Sequence, residues 1–213
     1  MNRFDRAFKL VIGHEGGFTD DRQDRGNWTS GKIGIGTLKG TKYGVSAAAY
    51  PSLDIRNLSL ASAKAIYRKD YWNRAGCELL PDGVAYAQFD IAVNSGVDRA
   101  TRILQEAVGA APDGIIGPRT RRAIANADTA RLVAEMLAQR IKFYMDLHHL
   151  TPRYGLGWSR RAVAVVLSAM DFARGQATPD AVVADDLLLA YMEHDDIETG
   201  SMKYKIAAAL RGD

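Results

Sequence analysis

Glu15 is the residue best placed to do chemistry. Phe4, Phe8 and Val11 recur at the spacing of one helical face, and four residues further along the same face lies Glu15. A carboxylate there points toward the apolar side, at the C-terminal end of its helix. Burial disfavours its charged form, and the partial negative charge of a helix C-terminus disfavours it further. A carboxyl kept protonated near neutral pH is what glycoside hydrolysis needs, because the leaving sugar oxygen must receive a proton. A surface glutamate at a frayed helix end is the competing reading, and the residues that follow must decide between them.

Gly16-Gly17 stops that helix. From 18 to 57 the chain is rich in Gly, Asp, Thr and Asn, which predicts loops with a small β-hairpin, and function is expected to sit in this segment. Trp28 and Tyr43 offer aromatic platforms for sugar faces, or serve as core. Tyr86, Asp90 and Asn94 fall at four-residue steps on an otherwise apolar helix, so one polar strip faces either a cleft, solvent or a buried network. In the first case Asp90 and Asn94 bind substrate, Asn94 through a hydrogen bond to an acetamido group.

The run HEGGFTDDRQDRGNWT, followed by GTKYGVS, resembles the N-acetylmuramidases of glycoside hydrolase family 108. The matching pieces are His14 to Gly17, Asp21 to Asn27, and Gly40 to Val45, with a longer stretch, Trp28 to Lys39, between the last two. The AVNSG run ending at Gly96 also resembles the family. The resemblance implies a mainly α, lysozyme-like fold and hydrolysis of the β-1,4 bond between N-acetylmuramic acid and N-acetylglucosamine in bacterial peptidoglycan. It implies that Glu15 is the catalytic acid. Asp24 then holds or activates water, or stabilises the oxocarbenium-like charge, and Thr41 positions that water. Asp20 and Asp21 compete with Asp24 for the task, and Asp21 is placed with Trp28, Tyr43, Asp90 and Asn94 among the substrate-binding residues. Ordinary turn chemistry also explains these aspartates.

Further along, LQEAVGAAPDGIIGPRTRRAIA resembles the small helical module that accompanies this family, a predicted peptidoglycan-binding domain. Its Asp113-Gly114 and Gly117-Pro118 pairs and Thr120 are also what a tight turn and a helix start require. Helices are expected over LASAKAIYRKDYW after Ser59, over GVAYAQFDIAVNSG, and at about 98 to 108, 118 to 126, 129 to 149, 159 to 174, 179 to 193 and 201 to 210. The expected organisation is a catalytic domain at 1–96, a peptidoglycan-binding module at 97–175 and a helical extension at 176–213.

At 213 residues and 47% hydrophobic, the chain is long and apolar enough for a core, and no run is long enough to span a bilayer. The single Cys77 excludes an internal disulfide. A net charge of +3 favours anionic partners, but the basic residues form no concentrated patch, which argues against nucleic acid. His14-Glu15 lacks the second histidine of a zinc-protease helix, and no phosphate loop or cysteine-metal spacing occurs, so neither metal nor cofactor is expected. Asp5, Arg6 and Lys9 interrupt the N-terminal apolar run, so no signal-peptide core is read there. The expectation is therefore a phage-type endolysin, monomeric, made in the host cytoplasm and reaching the wall through a holin. Membrane contact by the last helix is the lesser alternative to packing. Two rivals stay open: a lytic transglycosylase acting on the same bond, and a non-catalytic wall-binding or virion structural protein.

Overall fold

The computed structural model describes residues 1–12 and 17–174; Glu15, with its neighbours at 13, 14 and 16, and the helices expected at about 179 to 193 and 201 to 210 lie outside the described residues. The described part is mainly α, with one small antiparallel sheet, and separates into two compact units, Met1–Lys69 and a second beginning at Asp70.

In the first unit, α1 (Arg3–Ile12) is capped by Asn2, whose Oδ1 accepts from the Asp5 amide at 2.8 Å, and buries Phe4, Ala7, Phe8, Val11 and Ile12. This is the face read from the spacing. Helix α2 (Leu60–Tyr67) begins at the expected cap, Ser59, and lies against α1: the Phe8 and Tyr67 rings meet edge-on at 5.6 Å, and Lys64 pairs with Asp5 at 2.8 Å. Between the two helices runs a three-stranded sheet of two-residue strands, β1 (Phe18–Thr19), β2 (Thr41–Lys42) and β3 (Val45–Ser46), in that order. Pairing of Lys42 with Val45 leaves Tyr43-Gly44 as a two-residue turn, both at positive φ (50° and 68°), the mirror-type turn that matches strand twist. Beyond Tyr67 the α-helix does not run on through Trp72 as the pattern suggests. It widens into a π-helical stretch, Arg68–Asn73.

The second unit is built around α3 (Asp82–Ser95), in which every residue from Gly83 to Ser95 is buried. Helices α4 (Val97–Ala107), α6 (Thr129–Asp146) and α7 (Thr151–Ala173) pack around it, and α5 (Pro118–Asn126) follows the turn after α4. Gly83 lets α7 approach: a Cβ there would lie 2.6 Å from the carbonyl oxygen of Ala169. Helix α7 starts at Thr151, well before the expected 159. Pro152 serves its first turn, and Gly155 and Gly157, which read as breakers in sequence, are buried in the packed helix.

The polar strip of α3 turns out to be a buried network. Asp90 is 1% exposed, with Oδ1 2.6 Å from Nη1 of Arg140 on α6 and Oδ2 2.8 Å from Nη2 of Arg161 on α7. Asn94 donates to the Asp90 carbonyl at 2.8 Å, and Tyr86 stacks on Phe172 at 5.7 Å. Of the readings open for Asp90 and Asn94, substrate binding among them, the structure shows the buried network: both lie in the interior, and Asp90 ties three helices together. Burial alone would raise the Asp90 carboxyl, but the two guanidiniums outweigh it and hold the pKa at about 2. Burial, and then the Asp90 charge, push the Tyr86 phenol up.

With its folded value depressed to about 2 from an ordinary value near 4, Asp90 contributes stability that is present above pH 4 and is lost as pH falls toward 2, about 2 kcal/mol in all. Asp90→Asn strands two buried cations and is expected to destabilise by about 3–5 kcal/mol at neutral pH. Urea titrations of both proteins from pH 2 to 7 should show this, with the stability of the variant falling less steeply between pH 4 and 2.

Candidate functional site

The segment after β1 folds as a chain of turns in which each aspartate has a different duty. Asp20 pairs with Arg56 at 2.9 Å, and the Arg56 guanidinium also lies 4.3 Å over the Phe18 ring. Asp21 Oδ1 accepts from the Gln23 amide at 2.9 Å. Asp24 is half-buried and caps a single 3-10 turn, Arg25–Asn27, its Oδ1 accepting from the Gly26 amide at 2.8 Å. Among the described residues, the second oxygen of Asp24 carries no hydrogen bond. Asp24 therefore keeps one oxygen fixed and the other available.

Asn27, fully buried, closes the segment. Its amide nitrogen donates to the Asp24 carbonyl at 3.1 Å, and its side-chain Nδ2 donates to the Asp21 carbonyl at 3.0 Å. Its Oδ1 accepts the Thr41 hydroxyl proton at 2.7 Å, and its own carbonyl accepts from the Lys39 and Gly40 amides at 2.9 and 3.1 Å. Asp21, Asp24 and Thr41, separated by up to 20 positions in sequence, are thereby joined through one residue. Gly40 makes the junction possible. Its φ is +85°, and a Cβ would sit 2.4 Å from the Thr19 carbonyl oxygen, an approach that only glycine allows.

The two aromatics are held as firmly. Trp28 donates Nε1 to the Arg22 carbonyl at 3.0 Å and is partly covered. Tyr43 stands at the hairpin tip in the left-handed region, unusual for a bulky residue, with the Lys42 ammonium 5.4 Å over its ring and its carbonyl accepting from the Tyr67 hydroxyl at 3.2 Å. The first unit thus gathers Asp21, Asp24, Trp28, Thr41 and Tyr43, while Asp90 and Asn94 belong to the interior of the second. Among the described residues, no group of three or more His, Cys, Asp or Glu side chains is placed to hold a metal ion.

Against known proteins, residues 8–96 match the model described as glycosyl hydrolase 108, and residues 99–163 match one described as a predicted peptidoglycan domain. The structure of SagA from Brucella abortus is similar, at 31% sequence identity and a TM-score of 0.68, over 80% of this chain and 95% of that one. The chain belongs to glycosyl hydrolase family 108. No curated protein matches it. As a member of that family with its accompanying wall domain, it is a glycoside hydrolase that degrades peptidoglycan.

The wall-domain match runs from within α4 through α5 and α6 into α7, and includes the turn between α4 and α5. Gln105, buried on α4, donates Nε2 to Asp113 Oδ1 at 2.7 Å and to the Ile115 carbonyl at 3.0 Å, and its Oε1 accepts from the Gly114 amide at 2.8 Å. The Asp-Gly turn of this family-108 hydrolase is therefore strung on one amide side chain. Sequence reasoning gave Asn27 and Gln105 no role, although Gln105 directly follows the buried Ile103 and Leu104. It also missed Arg140, whose signal was visible: it falls in step with Val133, Met136, Leu137 and Tyr144 on the apolar face of α6, where an arginine needs a carboxylate.

Removing the junction should loosen the loop. Asn27→Ala leaves the buried Thr41 hydroxyl without its acceptor and the Asp21 carbonyl with the Asp24 amide at 3.3 Å alone, and is expected to destabilise by about 2 kcal/mol, and Thr41→Val by about 1 kcal/mol. A double-mutant cycle in denaturant should find the two effects coupled, the pair costing less than the sum of the singles.

Proposed function

We propose that this hydrolase is a muramidase that cleaves the β-1,4 bond between N-acetylmuramic acid and N-acetylglucosamine, with Glu15 as general acid. The observation that carries the reading is the Asn27 junction, which joins Asp24 and Thr41 in the polar loop that follows Glu15 in the chain. Glu15 delivers its proton to the departing sugar oxygen as positive charge builds at the anomeric carbon. Asp24, with one oxygen spent on the Gly26 amide, has the other for attracting a proton from water or facing the oxocarbenium-like centre.

Thr41 suits water positioning for a reason of proton inventory. Its hydroxyl proton goes to Asn27 Oδ1, so what remains on Oγ1 is acceptor capacity. A water bound there donates one proton to Thr41 and the other toward a carboxylate, which leaves its lone pair for the sugar. Trp28 and Tyr43 supply faces for the sugar rings, and Asp21 a polar contact. The 99–163 domain holds the polymer. The same proposal takes the enzyme as a monomeric phage endolysin, made in the host cytoplasm and admitted to the wall by a holin.

Wild type and Glu15→Gln are to be compared on purified Gram-negative peptidoglycan by turbidity loss and by mass spectrometry of the products. The wild type should release fragments with reducing-end N-acetylmuramic acid, and Glu15→Gln should lose at least about a hundredfold in rate. Anhydro-sugar products would instead establish a lytic transglycosylase. Unchanged turnover in Glu15→Gln would remove Glu15 from the mechanism.

A further inference from the structure

Between Trp28 and Lys39 the chain leaves the Asn27 junction and returns to it, and near the tip of this excursion Ile33 and Ile35 are 52% and 57% exposed. Large aliphatic side chains in water gain from being covered, and this loop holds two of them two residues apart. The loop is firmly built. Ser30 Oγ donates to the Ile35 carbonyl at 2.7 Å and accepts from the Lys32 amide at 3.1 Å. The Ile35 amide donates to the Lys32 carbonyl at 3.1 Å, and Thr29 and Thr37 bond each other through the Thr37 carbonyl at 3.0 Å and Thr29 Oγ1 at 2.9 Å. Arg25 Nε fixes the Gly31 carbonyl at 3.0 Å. A loop ordered before it binds anything loses little entropy when it does.

Its charge is as telling as its shape. Lys39 is committed at the base, its ammonium on the Pro51 carbonyl at 2.7 Å, whereas Lys32 is exposed beside Ile33 and forms no ion pair among the described residues. The tip therefore offers aliphatic surface next to one available cation. The base is continuous with the candidate site, because the Asn27 carbonyl that accepts from Lys39 and Gly40 belongs to the residue that holds Thr41.

We propose that this loop is a specificity site for the stem peptides of the wall polymer, with Ile33 and Ile35 against their aliphatic parts and Lys32 on a stem carboxylate. The inference rests on the wall-cleaving activity proposed above. A bare glycan strand presents hydroxyl and acetamido groups. Its short peptide branches add methyl groups and free carboxylates, the pairing of surfaces that this tip complements.

The full chain is to be assayed on sacculi with intact stems and on glycan strands stripped of stems by an amidase, as wild type, as Ile33→Ser/Ile35→Ser and as Lys32→Ser. On intact sacculi both variants should raise KM about three- to tenfold with kcat unchanged, and on stripped strands both should match the wild type. Equal losses on both substrates, or no loss on sacculi, would overturn the proposal. So would turnover that stays intact while binding to anionic vesicles is lost, which would assign the tip to a membrane. Should the double isoleucine variant fail to fold, the exposed Lys32→Ser carries the test. A wild type that cleaves neither substrate removes the muramidase reading and this inference with it, whereas an active wild type with indifferent variants removes only the loop.

Discussion

One buried carboxylate organises the helical unit. Taking Asp90 out of water is unfavourable unless its charge is met, and it is met from two directions, by Arg140 on α6 and Arg161 on α7. Because both partners must reach the same carboxyl, the three helices are held to an arrangement in which each carboxylate oxygen meets a guanidinium. Apolar packing alone is more permissive, since leucine and valine surfaces tolerate small slides and rotations. The ion network adds direction to a core that burial has already assembled. Arg161 retains 20% side-chain exposure, so part of the excess positive charge of the cluster is shared with solvent.

The polar loop of the first unit meets the same requirement without a charge. It has almost no apolar interior of its own, so its order must come from hydrogen bonds, and these converge on Asn27. A primary amide both donates and accepts, which lets one side chain close the Asp21 turn and hold the Thr41 hydroxyl at once. Gln105 uses the same property at the Asp113 turn. Neutral hubs have a functional consequence. A nearby carboxylate such as Asp24 keeps one oxygen for other work, which a lysine or arginine at position 27 would have claimed.

Much of this was legible in the residues, and what was not has a physical reason. The helices announced themselves by apolar spacing and by caps such as Ser59, because burial of one face and satisfaction of end groups are local demands. The family membership was carried by the run Glu15-Gly16-Gly17 and the pieces that follow it. The place of Asp90 stays open in the sequence because a polar strip on an apolar helix looks the same whether it faces a cleft or a partner helix. What settles the matter is 50 and 71 positions away, at Arg140 and Arg161. Long-range pairing is invisible to periodicity. The start of α7 was placed late for the opposite reason: Pro152, Gly155 and Gly157 are poor helix residues locally, and tertiary packing overrides them.

The distribution of satisfied and available groups separates folding from recognition. Asn27, Gln105 and Asp90 are buried, and their side chains are engaged in holding the fold, so a change at any of them disturbs the frame before it disturbs a ligand. In the loop between β1 and β2, by contrast, several groups keep capacity to spare: one oxygen of Asp24, the acceptor side of Thr41, and the tip formed by Lys32, Ile33 and Ile35. A polymer substrate needs a rigid frame to hold a reacting sugar to within a fraction of an ångström, and an exposed rim to meet whatever hangs from the strand. Both demands fall on this one segment. Its glycines at 31, 34, 36 and 40, all at positive φ, let a short chain turn tightly enough to be frame at its base and rim at its tip.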